Sequence, residues 1–178
     1  DATLHVYYGF ENWEKSHDAG QRANAQAIKG MLAAYEMHAA RNHGRVSGKE
    51  LAREQMRSGV WAYPTWWTET SCITAMEAQA AGLRCVTSPI AALNETLGEE
   101  HGYLISGDWL NPQYQAAFVD QVVACLLEPE ATENPRMNRD RQIDRAKHDF
   151  SLDRLAVEWN EMLGRFVEEV EKMAGGED

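Results

Sequence analysis

The sequence predicts an α/β fold in which a parallel sheet is covered by helices on both faces. Short apolar runs alternate along the chain with longer stretches whose apolar residues recur at helical spacing. The short runs are apolar throughout rather than alternating, which is typical of strands that are buried on both faces. A helix between successive strands carries the chain back across the sheet, so the strands are expected to run parallel.

The elements follow in order along the chain. Four strands are predicted at 3–8, 60–63, 83–87 and 103–105, the first closed by Gly9 and the second by Pro64. Helices are predicted at about 21–40, 72–81, 114–127 and 136–149, with a final helix that begins at Ser151. Gly82 is expected to end the second helix in a left-handed conformation. Phe118, Val122 and Leu126 are expected to form the inward face of the third.

The final helix carries one apolar stripe: Leu155, Trp159, Met162, Phe166, Val170 and Met173. We expect it to pack back on its own domain, and the alternative is that the stripe joins two copies of the chain as a homo-oligomer. The predicted organisation is therefore one partial α/β domain at 1–150, with the helix of 151–178 packed on it. The chain opens on a strand and carries no G-x-G-x-x-G segment, so the sheet is expected to lack its first strand.

Composition and charge narrow the classes of function. The 178 residues are 44% hydrophobic and 25% charged, ordinary values for a globular protein. No apolar run is long enough to span a bilayer and no signal peptide is recognisable, which favours a cytoplasmic protein. The net charge is −11, and 69–178 hold nine Lys and Arg against 21 Asp and Glu. This balance argues against a nucleic-acid or anionic-membrane surface, although helix-start amides can still bind one small phosphate ligand.

The cysteines and histidines indicate no metal or disulfide framework. Cys72, Cys85 and Cys125 are an odd number without C-x-x-C spacing, as expected for buried thiols in a reducing cytosol. The six histidines show no metal-ligand spacing. Only His43 is positioned for a functional role, and a loop-capping role fits it equally well. Cys72 lies at a helix start, which is expected to lower its thiol pKa. We nevertheless expect a packing role for it, because no histidine neighbours it in sequence.

The stretch from Tyr63 to Gly82 contains the candidate functional residues. It predicts a strand, a loop, and a helix whose N-cap is Thr70 or Ser71, with the first-turn N–H groups at the carboxyl edge of the sheet. Glu69 precedes the helix and Glu77 lies about two turns inside it. Carboxylates repel phosphate, so their natural partners are the hydroxyls of a sugar or ribose. In the alternative, Glu69 supports the helix dipole and Glu77 is a solvated surface residue.

This stretch resembles the signature of the GT-B glycosyltransferases of group 1, the retaining enzymes of family 4. That signature is a strand ending in Pro-Ser, a Glu, seven residues, a second Glu, then Ala-x-Ala-x-Gly and a strand. The chain has Tyr63-Pro64-Thr65, Glu69, Glu77-Ala78-Gln79-Ala80-Ala81-Gly82 and then 85–88. Segments 43–51, 92–96, 102–105 and 150–159 are similar to further family segments in the same order, so the resemblance covers nearly the whole chain.

The resemblance implies a Rossmann-like donor-binding domain, the C-terminal half of a GT-B fold, whose donor is a UDP-, GDP- or ADP-sugar. Glu69 would be the catalytic-site carboxylate that contacts the donor sugar. The amides of Thr70, Ser71, Cys72 and Ile73 would hold the diphosphate, Glu77 would accept from the ribose, and the backbone of Val46 would lie by the nucleobase. No metal or other cofactor is implied, and the sequence has no D-x-D motif. An N-terminal acceptor-binding domain would complete the enzyme, so this fragment alone is expected to be inactive.

The chain also departs from the family pattern. Thr70-Ser71-Cys72 stands where the family often has glycine, and Lys15 is a solvated residue rather than one of the basic pair that neutralises the leaving diphosphate. Trp66 and Trp67 adjoin the Glu69 loop, and at most one of them is expected to line the site. Two other functions stay open: a GT-B-related nucleotide-sugar epimerase, and a non-enzymatic Rossmann-like binding module.

Overall fold

The computed structural model describes residues 2–36, 39–128 and 138–174. Its contacts divide the chain into two units, Asp1–Arg57 and Ser58–Asp178, each of which has its own strands and helices. The boundary lies inside the range predicted as one domain, 1–150. The predicted division at residue 150 stays a prediction.

The first unit contains two parallel strands and three helices. In order these are β1 (Leu4–Val6), α1 (Glu11–Glu14), α2 (Ala19–Tyr35), β2 (Ala40–Asn42) and α3 (Gly48–Arg57). β1 pairs with β2 in parallel, with Leu4 opposite Ala40. α2 begins at Asp18, whose carboxylate accepts hydrogen bonds from the first-turn amides of Gly20 and Gln21.

The second unit is built on a three-stranded parallel sheet. Its elements are β3 (Val60–Tyr63), α4 (Ile73–Ala80), β4 (Arg84–Thr87), α5 (Ala92–Thr96), α6 (Gly98–His101), β5 (Gly102–Leu104), α7 (Pro112–Leu127), α8 (Arg139–Asp149) and α9 (Leu152–Ala174). The strand order is β3-β4-β5, so β4 is central. Val60 lies opposite Arg84, and Cys85 lies opposite Gly102.

Two apolar clusters cover the two faces of this sheet. Cys85 belongs to a cluster with α4, Leu83, Leu93 and Leu97. Val86 belongs to a second cluster with Tyr114, Phe118 and Cys125. Because successive residues of a strand point to opposite faces, the clusters lie on opposite sides of β4. The predicted fold class, a Rossmann-like parallel sheet with helices on both faces, is confirmed.

A buried polar network fastens α8 to α4 and α5. Gln79 is fully buried and donates to the carbonyls of Ala75 and Thr96 at 3.1 and 3.2 Å. Arg145 donates to the Gln79 side-chain oxygen at 2.5 Å and to the Thr96 carbonyl at 2.8 Å. α4 ends at Gly82, as predicted, with a φ of +74°. A Cβ there would also collide with the Arg139 side chain, so glycine is required both for the turn and for this packing.

The structure corrects several sequence-based element boundaries. The helix predicted to continue to residue 40 ends at Tyr35, and 40–42 form β2. Ala39 has a φ of 132°, which no helix accommodates. Phe118 and Val122 of the predicted inward face of α7 pack in the second apolar cluster, whereas Leu126 is 45% exposed, and Tyr114 and Cys125 complete the buried face. Residues 136–137 of the predicted fourth helix lie outside the described residues.

α9 differs most from expectation. Every residue from 152 to 174 is exposed, including the apolar stripe that was predicted to pack on the domain. No other described element of the second unit covers this stripe, so the predicted packing is not observed. Among the described residues, no helix is both long enough and apolar enough to cross a membrane.

Candidate functional site

The carboxyl ends of β3 and β4 are joined by side chains that follow each strand. The Thr87 hydroxyl donates to the Tyr63 carbonyl at 2.7 Å. The Ser88 hydroxyl accepts from the Thr65 amide at 3.2 Å and lies 2.7 Å from the Tyr114 hydroxyl. We call these five residues the strand-end network. Thr65, Thr87, Ser88 and Tyr114 are buried, so the network fixes the loop that leaves β3 on the sheet edge.

Gly107 makes room for this network. Its φ is +145°, a conformation that favours glycine, and a Cβ there would lie 3.0 Å from the Tyr114 ring. Any larger residue would push Tyr114 away from Ser88. The network residues and Gly107 were not predicted as site residues. Their partners lie far apart in sequence, and the only available signal was their position at the ends of predicted strands.

Glu69 is held at this edge by its side chain and by its backbone. The Tyr63 hydroxyl donates to Glu69 Oε1 at 2.9 Å, and the Ala92 amide donates to the Glu69 carbonyl at 3.1 Å. Burial raises the pKa of Tyr63, and the neighbouring Glu69 carboxylate raises it further. Tyr63 is therefore a neutral hydrogen-bond donor at physiological pH. Glu69 itself is half-buried and precedes the N-cap of α4 in the chain.

The start of α4 is arranged differently from the prediction. The N-cap residue is Cys72 rather than Thr70 or Ser71, and no side chain caps this helix among the described residues. Cys72 is only 4% exposed and packs in the apolar cluster of α4. Burial consequently raises its pKa, whereas a position at a helix start was expected to lower it. The predicted packing role of Cys72 is confirmed, and all three cysteines are buried and free.

The start of α4 has the backbone donors that every helix start has. The first N–H groups of a helix have no partner within the helix and carry the positive end of its dipole. Thr70, Ser71 and Ile73 are exposed residues; Thr70 and Ser71 precede the N-cap Cys72, and Ile73 is the first residue of the helix. Glu77 is exposed on the same helix. The structure thus brings Glu69 and the 70–73 segment to one helix start, with Glu77 farther along α4, while the predicted roles of these residues stay predictions.

Basic side chains are scarce around this edge. From residue 58 to residue 135 the sequence has one Lys or Arg, which is Arg84. Its guanidinium group donates to the backbone carbonyls of Cys125 and Glu128, at the end of α7. An anion at the start of α4 would therefore rely on backbone amides rather than on side chains from this stretch.

The first unit has a cavity of about 370 Å³ of its own. Val46, the predicted nucleobase contact, lines it together with Tyr7, Tyr8, Gly9, Glu11, Asn12, Arg45 and Leu51. His43 lies close by in sequence, and its ring nitrogen is 2.9 Å from that of His5, a pairing that the sequence did not reveal. The Tyr7 ring stacks on His43 with centroids 4.5 Å apart. The role of Val46 stays a prediction.

Two tryptophans meet at the edge of the second unit's sheet. Trp66 stacks on Trp109 with ring centroids 4.5 Å apart and an interplanar angle of 19°. Both remain substantially exposed, and Trp67 is exposed as well. Among the described residues, no group of three His, Cys, Asp or Glu side chains is arranged to hold a metal ion.

The fold of this chain is similar to the Rossmann-like half of a GT-B protein. One solved structure to which it is similar is sucrose-phosphate synthase from Thermosynechococcus elongatus, with a TM-score of 0.65 and 17% sequence identity. The match covers 95% of this chain and 46% of that one, so the chain spans about half the length of the neighbour. At this identity the likeness shows the fold alone. No protein-family model matches the sequence, and no curated protein matches it.

Proposed function

We propose that this chain is the donor-binding part of a retaining glycosyltransferase that takes a sugar from a nucleoside diphosphate and gives it to an acceptor hydroxyl. The observation that carries the proposal is Glu69, fixed by Tyr63 and Ala92 at the carboxyl edge of a parallel sheet, directly before the start of α4. Ligands of such sheets bind at this edge. The fold of the glycosyltransferase-like neighbour and the family resemblance support the same assignment.

The transfer reaction requires two kinds of group, donors for the diphosphate and acceptors for hydroxyls. In the transfer, the bond between the anomeric carbon and a diphosphate oxygen breaks, a bond to the acceptor oxygen forms, and the acceptor proton passes to the departing diphosphate. Negative charge grows on the departing diphosphate, and the amides of 70–73 would stabilise it there. Backbone donors suit this task because they are already oriented and need no reorganisation during the reaction.

The two carboxylates would bind hydroxyls on either side of the diphosphate. Glu69, whose orientation is set by Tyr63, would accept from hydroxyls of the donor sugar. Glu77, exposed on α4, would accept from the ribose diol. Basic residues are scarce between 58 and 135. This suits a ligand that has many hydroxyls and one small anionic group. On the resemblance no metal is required, so chelation with EDTA is expected to leave nucleotide binding unchanged.

Titration calorimetry on the 178-residue chain tests this proposal. UDP, GDP and ADP are compared with their parent nucleosides and with UDP-glucose, GDP-mannose and ADP-glucose. One diphosphate is expected to bind at least about tenfold more tightly than its nucleoside, because only the diphosphate reaches the helix-start amides. Equal affinity for nucleoside and diphosphate would contradict the phosphate site.

Two variants separate the roles of the carboxylates. Glu77→Ala is expected to weaken diphosphate binding about 10- to 150-fold, the loss of a charged hydrogen bond of about 1.5–3 kcal/mol. Glu69→Ala is expected to leave diphosphate binding intact and to remove only the additional affinity that the sugar provides. Asp120→Ala, the same charge change on an exposed position of α7, is the matched control. Equal loss of diphosphate affinity in both glutamate variants would show that the roles are wrongly assigned.

A further inference from the structure

Trp66 and Trp109 form an exposed aromatic pair that packing alone does not explain. Trp66 is 53% exposed and Trp109 is 39% exposed, although their rings are stacked with centroids 4.5 Å apart. A stack covers one face of each indole, and the exposed fractions show that part of each side chain remains open to solvent. By contrast, Trp61 is partly buried and packs against the apolar cluster of α4. An exposed indole is unfavourable in water unless something else covers it.

Both indoles stand on loops that hydrogen bonds hold in place. Thr65, the residue before Trp66, is buried, and its amide donates to the Ser88 hydroxyl. The Thr65 hydroxyl accepts from the Trp67 amide at 3.0 Å. The Trp109 carbonyl accepts from the Gln115 side chain at 3.0 Å, and the next residue donates its amide to the Asp108 carboxylate at 2.9 Å. The pair is therefore presented by fixed loops and is organised before any ligand binds.

The pair lies on the same edge of the sheet as Glu69. Trp66 follows β3 in the loop that also carries Glu69, and Trp109 lies in the loop that follows β5. β3, β4 and β5 are all parallel, so both loops leave from the carboxyl edge. The aromatic face is thus a neighbour of the edge where the donor is proposed to bind.

The surroundings of the pair indicate what it binds. The two loops carry acidic and neutral polar side chains, among them Glu69, Asp108 and Asn111, and no Lys or Arg. A phosphate or carboxylate ligand would meet no counter-charge here. A pyranose ring is uncharged, presents a face of C–H groups that packs on the electron-rich face of an indole, and donates hydroxyls to carboxylates and amides.

We infer that Trp66 and Trp109 form a binding platform for a neutral saccharide, so that the acceptor would be a carbohydrate contacted by this chain as well as by the acceptor-binding domain. Trp66 and Trp109 supply the flat apolar surface, and polar groups of the same two loops accept its hydroxyls. The assignment of this saccharide as acceptor rests on the proposed function, whereas its binding to the platform does not require a nucleotide. The two ideas therefore fail in separate experiments.

The test is a titration of the full chain with neutral oligosaccharides, without nucleotide, followed by the indole N–H signals in NMR spectra. The probes are cellohexaose, maltohexaose, laminarihexaose and mannohexaose, each up to about 10 mM, the range of weak binding. At least one is expected to shift the signals of Trp66 and Trp109, which the variants Trp66→Phe and Trp109→Phe assign. Trp66→Ala and Trp109→Ala are each expected to weaken binding at least about tenfold.

Controls keep a structural role apart from a binding role. Trp159→Ala removes an indole that is 57% exposed on α9 and is expected to leave saccharide affinity unchanged. Unfolding in urea shows whether Trp66→Ala and Trp109→Ala keep the fold, and the phenylalanine variants, which retain an aromatic face, are expected to keep part of the affinity. Absence of any shift with all four probes would overturn the inference, as would shifts of Trp66 and Trp109 with uridine, guanosine or adenosine alone.

Discussion

Removal of the Tyr63 hydroxyl tests how Glu69 is held. Tyr63→Phe keeps the aromatic ring, which stacks on Trp61 with centroids 5.2 Å apart and packs against the apolar cluster of α4. The substitution deletes the 2.9 Å hydrogen bond to Glu69 and a bond between the Tyr63 and Thr65 side chains. The change in unfolding free energy therefore reports on polar contacts and not on lost packing.

The structure sets the size of this effect. A hydrogen bond to a charged group contributes about 1.5–3 kcal/mol when it is buried. Glu69 is half-exposed, and water replaces part of the lost bond, so we expect its share to be about 1 kcal/mol. A double-mutant cycle with Tyr63→Phe and Glu69→Ala isolates that share from the Thr65 contribution.

The assay is urea unfolding followed by tryptophan fluorescence. Tyr35→Phe removes a hydroxyl from a residue that is 62% exposed on α2, and it is expected to leave stability unchanged. A coupling energy of about 1 kcal/mol supports the geometry. A coupling below about 0.3 kcal/mol, within the additivity error of such cycles, would refute the idea that Tyr63 positions Glu69.

Two further predictions concern stability and association. Burial raises the pKa of the Cys85, Cys72 and Cys125 thiols above their ordinary value of 9.0, so the folded state favours the neutral thiols. Their stabilising contribution is complete below pH 9 and is lost as pH rises further. The urea midpoint of unfolding should therefore fall between pH 8 and about 10, and it should fall less steeply with pH in Cys85→Ala. Equal pH slopes in the variant and the unaltered protein would contradict this origin. Separately, α9 should join two chains through its stripe, because the large apolar side chains of that stripe are otherwise exposed to water. Light scattering across a concentration series should show dimers that Phe166→Glu abolishes, and a monomer at all concentrations would contradict the pairing.

Local sequence signals predicted the elements around the site well. The bounds of β3 agree with the apolar run that Pro64 stops, and α4 ends at Gly82 because only glycine tolerates the left-handed turn and the packing against Arg139 there. The spacing of Glu69 and Glu77 placed one carboxylate before α4 and the other on it. These features depend on residues that are close in sequence, which periodicity and turn chemistry describe.

Tertiary contacts account for what the sequence did not predict. The hydroxyls of Ser88 and Tyr114 meet across 26 positions of sequence, and no local pattern announces such a pair. Cys72 is the N-cap in place of a hydroxyl residue because its thiol fills the apolar cluster, which outweighs capping preference. The end of α2 was not predicted because the composition of 21–40 favours a helix throughout. The strand β2 forms at 40–42 because it pairs with β1, a contact that is distant in sequence.

The most direct measurement of the central claim is a map of amide chemical shifts in ¹⁵N-labelled protein during titration with the best-binding nucleoside diphosphate. If the start of α4 binds the diphosphate, the largest shifts fall on the amides of Thr70, Ser71, Cys72 and Ile73, and the parent nucleoside does not reproduce them. Amides of β5 (Gly102–Leu104) serve as the internal reference on the same sheet. Binding that leaves the 70–73 amides unshifted would contradict the assignment of a donor site to this edge.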